Sequence, residues 1–168
     1  MITAERKPFD EIYEITGIEP GTYDVREVMQ SGWNASYPNT DGVYEDVTFE
    51  SGEQHRDNDF GNFRQGIKSG IKFEDLDADG VKDSGEPGLV GWTTIKVFND
   101  LDDSDSLTAG DTLEAEQVTG TNGAYSFSLD PGDYVVCEEA QGLAGTWFQS
   151  FPAGNTICDN DAIDASLD

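Results

Sequence analysis

Basic residues are scarce in this sequence: nine Lys and Arg stand against 35 Asp and Glu, for a formal net charge of -26. That imbalance excludes nucleic acid and anionic membrane surfaces as partners, because both would be repelled, and it favours cations. Long apolar runs are missing as well. No stretch approaches the roughly eighteen residues of a membrane-spanning helix, and the opening MITAERKPF has no apolar core of the signal-peptide kind, so direct insertion into a membrane is not expected. Histidine occurs once, at His55, and no Gly-x-Ser-x-Gly elbow is present, which leaves catalysis little to stand on; a glycosidase-type carboxylate pair cannot be picked out of 35 acids by spacing. Only two cysteines occur, Cys137 and Cys158. Their separation fits neither a CxxC metal knuckle nor a redox motif, which leaves a disulfide or two buried thiols.

Helical periodicity is absent too, and what is present instead is strand-like. AYSFSL (Ala124 to Leu129) alternates Tyr125, Phe127 and Leu129 with Ser126 and Ser128, and TTIKVF and DYVVCEE are short, β-branched and bounded by Gly, Pro, Asp or Asn. With 19 glycines punctuating strand-sized segments, the pattern predicts an all-β sandwich. The 18 aromatic residues (Tyr 6, Phe 9, Trp 3) supply a core, but so acidic a chain repels itself when compact unless something neutralises it, and divalent metal is the simplest neutraliser.

The chain repeats itself at long range. IEPGTYDVRE (Ile18 to Glu27) matches LDPGDYVVCE (Leu129 to Glu138), and Trp33, Ser36, Tyr37 and Pro38 match Trp147, Ser150, Phe151 and Pro152. A period above one hundred residues means duplicated domains, not solenoid units. The expected division is residues 1–63, the C-terminal part of a first β-sandwich repeat, and residues 64–168, a second repeat lacking its last strands.

The chemistry concentrates in DLDADGVKDSGE, Asp75 to Glu86, which carries oxygen side chains at positions one, three, five, nine and twelve and glycine at six, the ligand spacing of an EF-hand loop. Calcium takes six to eight hard oxygens, and a tight loop with a carboxylate at every second residue aims them at one centre. The candidate ligands are Asp75, Asp77, Asp79, the Val81 carbonyl, Asp83 and Glu86, with calcium (Ca2+) as the expected cofactor. Pro87, Gly88 and Gly91 follow, so no regular helix continues the loop. Ile71 and Phe73 before it alternate in strand fashion and are expected to face inward. Between strands a metal staples backbone and neutralises charge, whereas in an EF-hand it reorients helices. A second loop, DLDDSDSLTAGD, offers Asp100, Asp102, Ser104, the Ser106 carbonyl, Thr108 and Asp111 in the same frame. There Asp105 replaces the glycine, and Asp103 and Asp105 are substitute ligands if the turn differs.

SGIKFEDLDADGVKDSGEPGLVGW, TNGAYSFSLDPGDYVVCEE, PGTYDVREVMQSGW and NDFGNF together resemble the successive motifs of SdrD B-like domains, the calcium-binding B repeats of bacterial and archaeal surface proteins. The resemblance implies an immunoglobulin-like, prealbumin-like β-sandwich acting as a calcium-stiffened segment of an extracellular adhesin, stalk or fibre. The implied partners are neighbouring repeats or subunits of the same protein and a host or cell-surface ligand. In related Cna B-type domains an inward Glu assists a Lys–Asn isopeptide bond. Glu27 and Glu138 share strand parity with inward apolar residues, and Lys72 and Asn62 are the corresponding Lys and Asn, but parity between Ile71 and Phe73 sends Lys72 to solvent. Asn34-Ala35-Ser36 forms a glycosylation sequon, meaningful only if the protein is exported. Trp33, Trp92 and Trp147 are expected to pack at strand ends. An accessory carbohydrate- or ligand-binding module of a secreted enzyme is the alternative reading, and head-to-tail joining of chains by strand addition is a further expectation.

Overall fold

The structure is a computed structural model, which describes residues 5–6, 13–56, 58–139, 147–152 and 157–158. The chain is all-β and divides into two compact units, Met1–Arg64 and Gln65–Asp168.

The second unit is built on the alternation seen in AYSFSL. Strand β10 (Ala124–Leu129) buries Phe127 and Leu129 and turns Ser126 and Ser128 out. It pairs antiparallel with β7 (Gly66–Ile71), while β11 (Tyr134–Glu139), β8 (Thr94–Asn99) and β9 (Thr112–Val118) form a second sheet, to which the short β12 (Ile157–Cys158) adds in parallel beside β11. The two sheets pack face to face: Ile95 and Val97 of β8 meet Phe127 and Leu129, with Ala115, Tyr125, Tyr134 and Val136 closing the core. Phe98 points to the opposite face of its sheet, where the Cys137–Cys158 disulfide and Leu107 cover it. Of the two cysteine alternatives, the bonded one is present.

One register expectation fails. In β7 the residues opposite the inward Tyr125, Phe127 and Leu129 are Gly70, Lys68 and Gly66, so the even-numbered positions face in. Ile71 is 51% exposed, and Lys72 turns inward. The reason is volume. A Cβ on Gly70 would lie 2.3 Å from the Tyr125 hydroxyl oxygen, so β7 makes room for the aromatic rings of β10 by facing them with glycine, and its isoleucines take the outer face.

In the first unit, β1 (Glu5–Arg6) pairs with β2 (Tyr13–Glu14), β3 (Gly21–Arg26) with β5 (Val43–Phe49), and β4 (Asn34–Tyr37) with β6 (Gly61–Phe63). Tyr13, Tyr37, Tyr44 and Phe60 form a chain of tilted and edge-on ring contacts. Among the described residues, no helix is long and apolar enough to cross a membrane.

Candidate metal centre

The loop Asp75–Glu86 hangs between two extended arms. Phe73 bridges Gly88, Leu89 N–H donates to the Lys72 carbonyl at 2.9 Å and Glu74 N–H to the Pro87 carbonyl at 3.0 Å. Strand-like pairing therefore flanks the loop on both sides, as the Pro-Gly stop implies. Beyond it, the buried Thr119 hydroxyl donates to the Leu89 carbonyl (2.7 Å) and accepts from Trp92 N–H (3.0 Å), and the Thr93 hydroxyl donates to the Glu139 carbonyl (2.7 Å), fastening the arm to β9 and β11.

Inside the loop the carboxylates organise the backbone. Asp75 Oδ2 accepts from Gly80 N–H at 2.9 Å, and Asp79 Oδ1 from Val81 N–H at 2.8 Å. Glu86, only 9% exposed, accepts from Leu76 N–H (2.8 Å) and Asp83 N–H (2.9 Å) through its two oxygens. Oxygens of Asp75, Asp77 and Glu86 converge within 4.8 Å of one another, and so do those of Asp77, Asp79 and Asp83, so Asp77 joins two groups. Five of the expected ligands are thus brought together. The side chain of Val81 is exposed, and its amide is taken by Asp79. Gly80 has φ 78°, a left-handed conformation in which glycine is unstrained.

The electrostatics of the cluster are uneven. A Ser150 hydroxyl hydrogen bond, aided by loop amides and opposed by partial burial, holds the Asp75 carboxyl below its ordinary value. The neighbouring charge of Asp79, with smaller contributions from burial and from Asp75 and Asp83, pushes Asp77 up. The latter is unrelieved repulsion between like charges, which a cation would reverse. Lys82 does not relieve it through a carboxylate: its ammonium donates to the carbonyls of Glu86 (2.7 Å) and Asp83 (3.0 Å) and lies over the Phe73 ring. One oxygen fits a metal and little else, because Asp75 Oδ1 is buried and has no hydrogen-bond partner.

The second loop joins β8 to β9 and follows the first bond by bond. Asp100 accepts from Asp105 N–H at 2.9 Å, as Asp75 does from Gly80. Asp111 accepts from Leu101 N–H (3.1 Å) and Thr108 N–H (2.7 Å), as Glu86 does from the second and ninth positions. Asp100, Asp102 and Asp111 converge within 4.8 Å, matching the group of Asp75, Asp77 and Glu86. Asp103 and Asp105, offered as substitute ligands, stay outside that group and take positive φ values of 53° and 55° in the places of Ala78 (60°) and Gly80. The Ser104 hydroxyl donates to the Ser106 carbonyl at 2.9 Å, the Ser106 hydroxyl returns to the Ser104 carbonyl at 3.2 Å, and the Thr108 hydroxyl donates to Asp102 at 3.3 Å. The Ser104 hydroxyl is also the first cause that holds Asp102 below its ordinary value.

Two further polar pairs escaped the sequence reading. Lys72, expected in solvent, places its ammonium 2.8 and 3.0 Å from the two oxygens of the half-buried Glu138. In the first unit Glu27, which matches Glu138 in the repeat, accepts both amide protons of Asn62 at 2.9 and 2.8 Å. The inward Glu was readable from parity, but the Lys was not, because the glycines of β7 invert its strand. Trp92 packs edge-on to Trp147 with centroids 4.5 Å apart, and Arg64 lies over the Trp33 ring.

The chain is similar to the serine-aspartate repeat-containing protein I of Staphylococcus saprophyticus, with 30% identity over 154 residues. The match covers 80% of this chain and 8% of that protein, so the chain spans a small fraction of the relative's length. No family model matches the chain, and no solved structure does.

Proposed function

We propose that the chain is a non-enzymatic, calcium-stabilised β-sandwich module of an extracellular surface adhesin, stalk or fibre. The observation that carries this reading is the buried, partnerless Oδ1 of Asp75 beside the converging oxygens of Asp77 and Glu86. An orphaned buried carboxylate oxygen is costly in a protein interior, and a hard cation removes that cost while cancelling the repulsion at Asp77. Asp75, Asp77, Asp79, Asp83 and Glu86, with the Val81 carbonyl, would hold the first ion. Asp100, Asp102 and Asp111, with Ser104, the Ser106 carbonyl and Thr108, would hold a second. With loops fixed at both ends by backbone pairing, the ion locks the loop and signals nothing.

The extracellular placement draws support from the Cys137–Cys158 disulfide, which persists in oxidising compartments, and from the likeness to a serine-aspartate repeat-containing protein. The partners are calcium and neighbouring repeats or further copies of the protein, joined end to end by strand addition.

Thermal unfolding with calcium and with a chelator tests the reading. A ligand at one hundred times its Kd stabilises by about 2.7 kcal/mol. At about 4–8 °C per kcal/mol for a unit of this size, calcium should raise Tm by roughly 10–20 °C. An unchanged melt in chelator refutes it.

A further inference from the structure

The two units carry the same repeat but complete it differently. In the first unit, Asn34–Tyr37 is strand β4, with Gly61–Phe63 paired along it. In the second unit the matching stretch, Phe148 to Phe151, forms no strand, and Phe148 is 88% exposed. A cleft of about 460 Å³ opens beside it, lined by Lys72, Tyr125 and Glu138 on one side and by Ser150, Phe151 and Pro152 on the other. Glu138 and the Ser150–Pro152 stretch are the repeat counterparts of Glu27 and Ser36–Pro38, the groups that frame Asn62 and β6 in the first unit. The cleft therefore lies where the repeat calls for an Asn-bearing strand, and no strand among the described residues occupies it.

The polar groups are complementary as well as the shapes. Asn62 gives both amide protons to Glu27, and its Oδ1 is left buried without a donor. Lys72 has three ammonium protons, and its contacts to the two Glu138 oxygens use two of them. A strand entering the cleft can give its Asn amide protons to Glu138 and receive the third lysine proton on Oδ1. It thereby gains the donor it lacks at home.

We infer that this cleft is a docking groove for an extended Phe-Gly-Asn-Phe strand, the Phe60–Phe63 segment of a second copy of the chain. The exchange is inexpensive for the donor, since β4 and β6 share only three register pairs, Asn34↔Phe63, Ala35↔Asn62 and Tyr37↔Gly61. A groove on one unit and its occupant on the other make a heterologous contact, which propagates head to tail. The inference rests on the structural-module reading and gives its strand addition an address. Asp75 reaches Ser150 by a hydrogen bond, so the first metal loop also braces one wall of the groove.

The test is binding of a synthetic peptide of residues 58–65 (NDFGNFRQ) to the intact chain in calcium, followed by fluorescence anisotropy. Saturable binding is expected. It should weaken about tenfold or more when the peptide carries Asn→Ala, the loss of one charge-assisted hydrogen bond or more, and equally when the chain carries Lys72→Met. The peptide variant leaves the protein fold untouched, so a folding defect in Lys72→Met does not blur the result. Absence of binding, or binding indifferent to both changes, overturns the groove. Sedimentation then tests the occupant: association that grows with concentration and is lost in Asn62→Ala supports a second copy, and a strictly monomeric chain overturns it. Because Tm reports calcium and anisotropy reports the groove, a chain that binds peptide but melts alike in calcium and chelator refutes the metal reading alone.

Discussion

The loops Asp75–Glu86 and Asp100–Asp111 reach one backbone conformation with different residues. In both, the first carboxylate takes the sixth amide, the twelfth carboxylate takes the second and ninth amides, and the fourth and sixth residues are left-handed. They differ in what lies along that backbone. The first has carboxylates at positions one, three, five, nine and twelve, whereas the second has hydroxyls at five and nine. The hydroxyls of the second loop bond to loop carbonyls and to Asp102, so they stabilise the empty conformation from within. The first loop is left with a partnerless oxygen and unrelieved repulsion. Conformation and charge are thus separable: the first loop is built to need an ion, and the second stands with less dependence on one.

The widest separation of the two should come from their closing carboxylates. Glu86→Gln replaces one acceptor oxygen with an NH2 facing Leu76 or Asp83 N–H, so it weakens the loop by about 1–3 kcal/mol and abolishes the tighter calcium event. Asp111→Asn should remove only the weaker event. A two-site calcium titration by calorimetry checks this, and equal losses from the two variants would erase the distinction. A smaller effect comes from the sixth position. Gly80→Ala should cost about 1–2 kcal/mol for a left-handed alanine, and Asp105→Gly should recover part of that in the second loop, both read from urea midpoints. If Asp105→Gly destabilises instead, the Asp105 side chain has a role that the backbone does not reveal.

The smallest effect is a control lying outside both loops. The hydrogen bond and charge of Lys96, 3.0 Å away, hold the Glu139 carboxyl below its ordinary 4.5. A lowered carboxylate contributes stability above its unfolded value and loses it as pH falls through the folded one, so the effect occupies the range below about pH 4.5. Glu139 is largely solvated, so the effect is slight. Lys96→Met should flatten that acid limb by the same amount in calcium and in chelator, and a calcium-dependent difference would tie the sheet's electrostatics to the loops.

Much of this was legible in the sequence because ligand spacing and strand alternation are local. AYSFSL shows its inward face in its own letters, and Asp75 to Glu86 shows its oxygens. The parity of Ile71, Lys72 and Phe73 was misread because the deciding residues, Gly66 and Gly70, matter only through rings on another strand. Hydrophobicity placed the isoleucines inside, whereas volume placed the glycines there. The second loop was legible as a frame but not as a fold, since nothing in the letters says that Asp103 and Asp105 accept left-handed conformations. Leu107 was missed for a like reason: one apolar residue in an acidic loop carries no period, yet it packs over Phe98 beside the disulfide.

That disulfide has a mechanical side. Cys137 lies in β11 and Cys158 in the adjoining β12, 21 positions apart in sequence. Tension applied beyond Cys158 enters β11 directly through the sulfurs and bypasses the chain between them. At roughly 3.5 Å per residue, about 70 Å of contour length is withheld from extension. A molecule pulled from its two ends should therefore lengthen by that much more under reducing conditions, a step that single-molecule stretching can count.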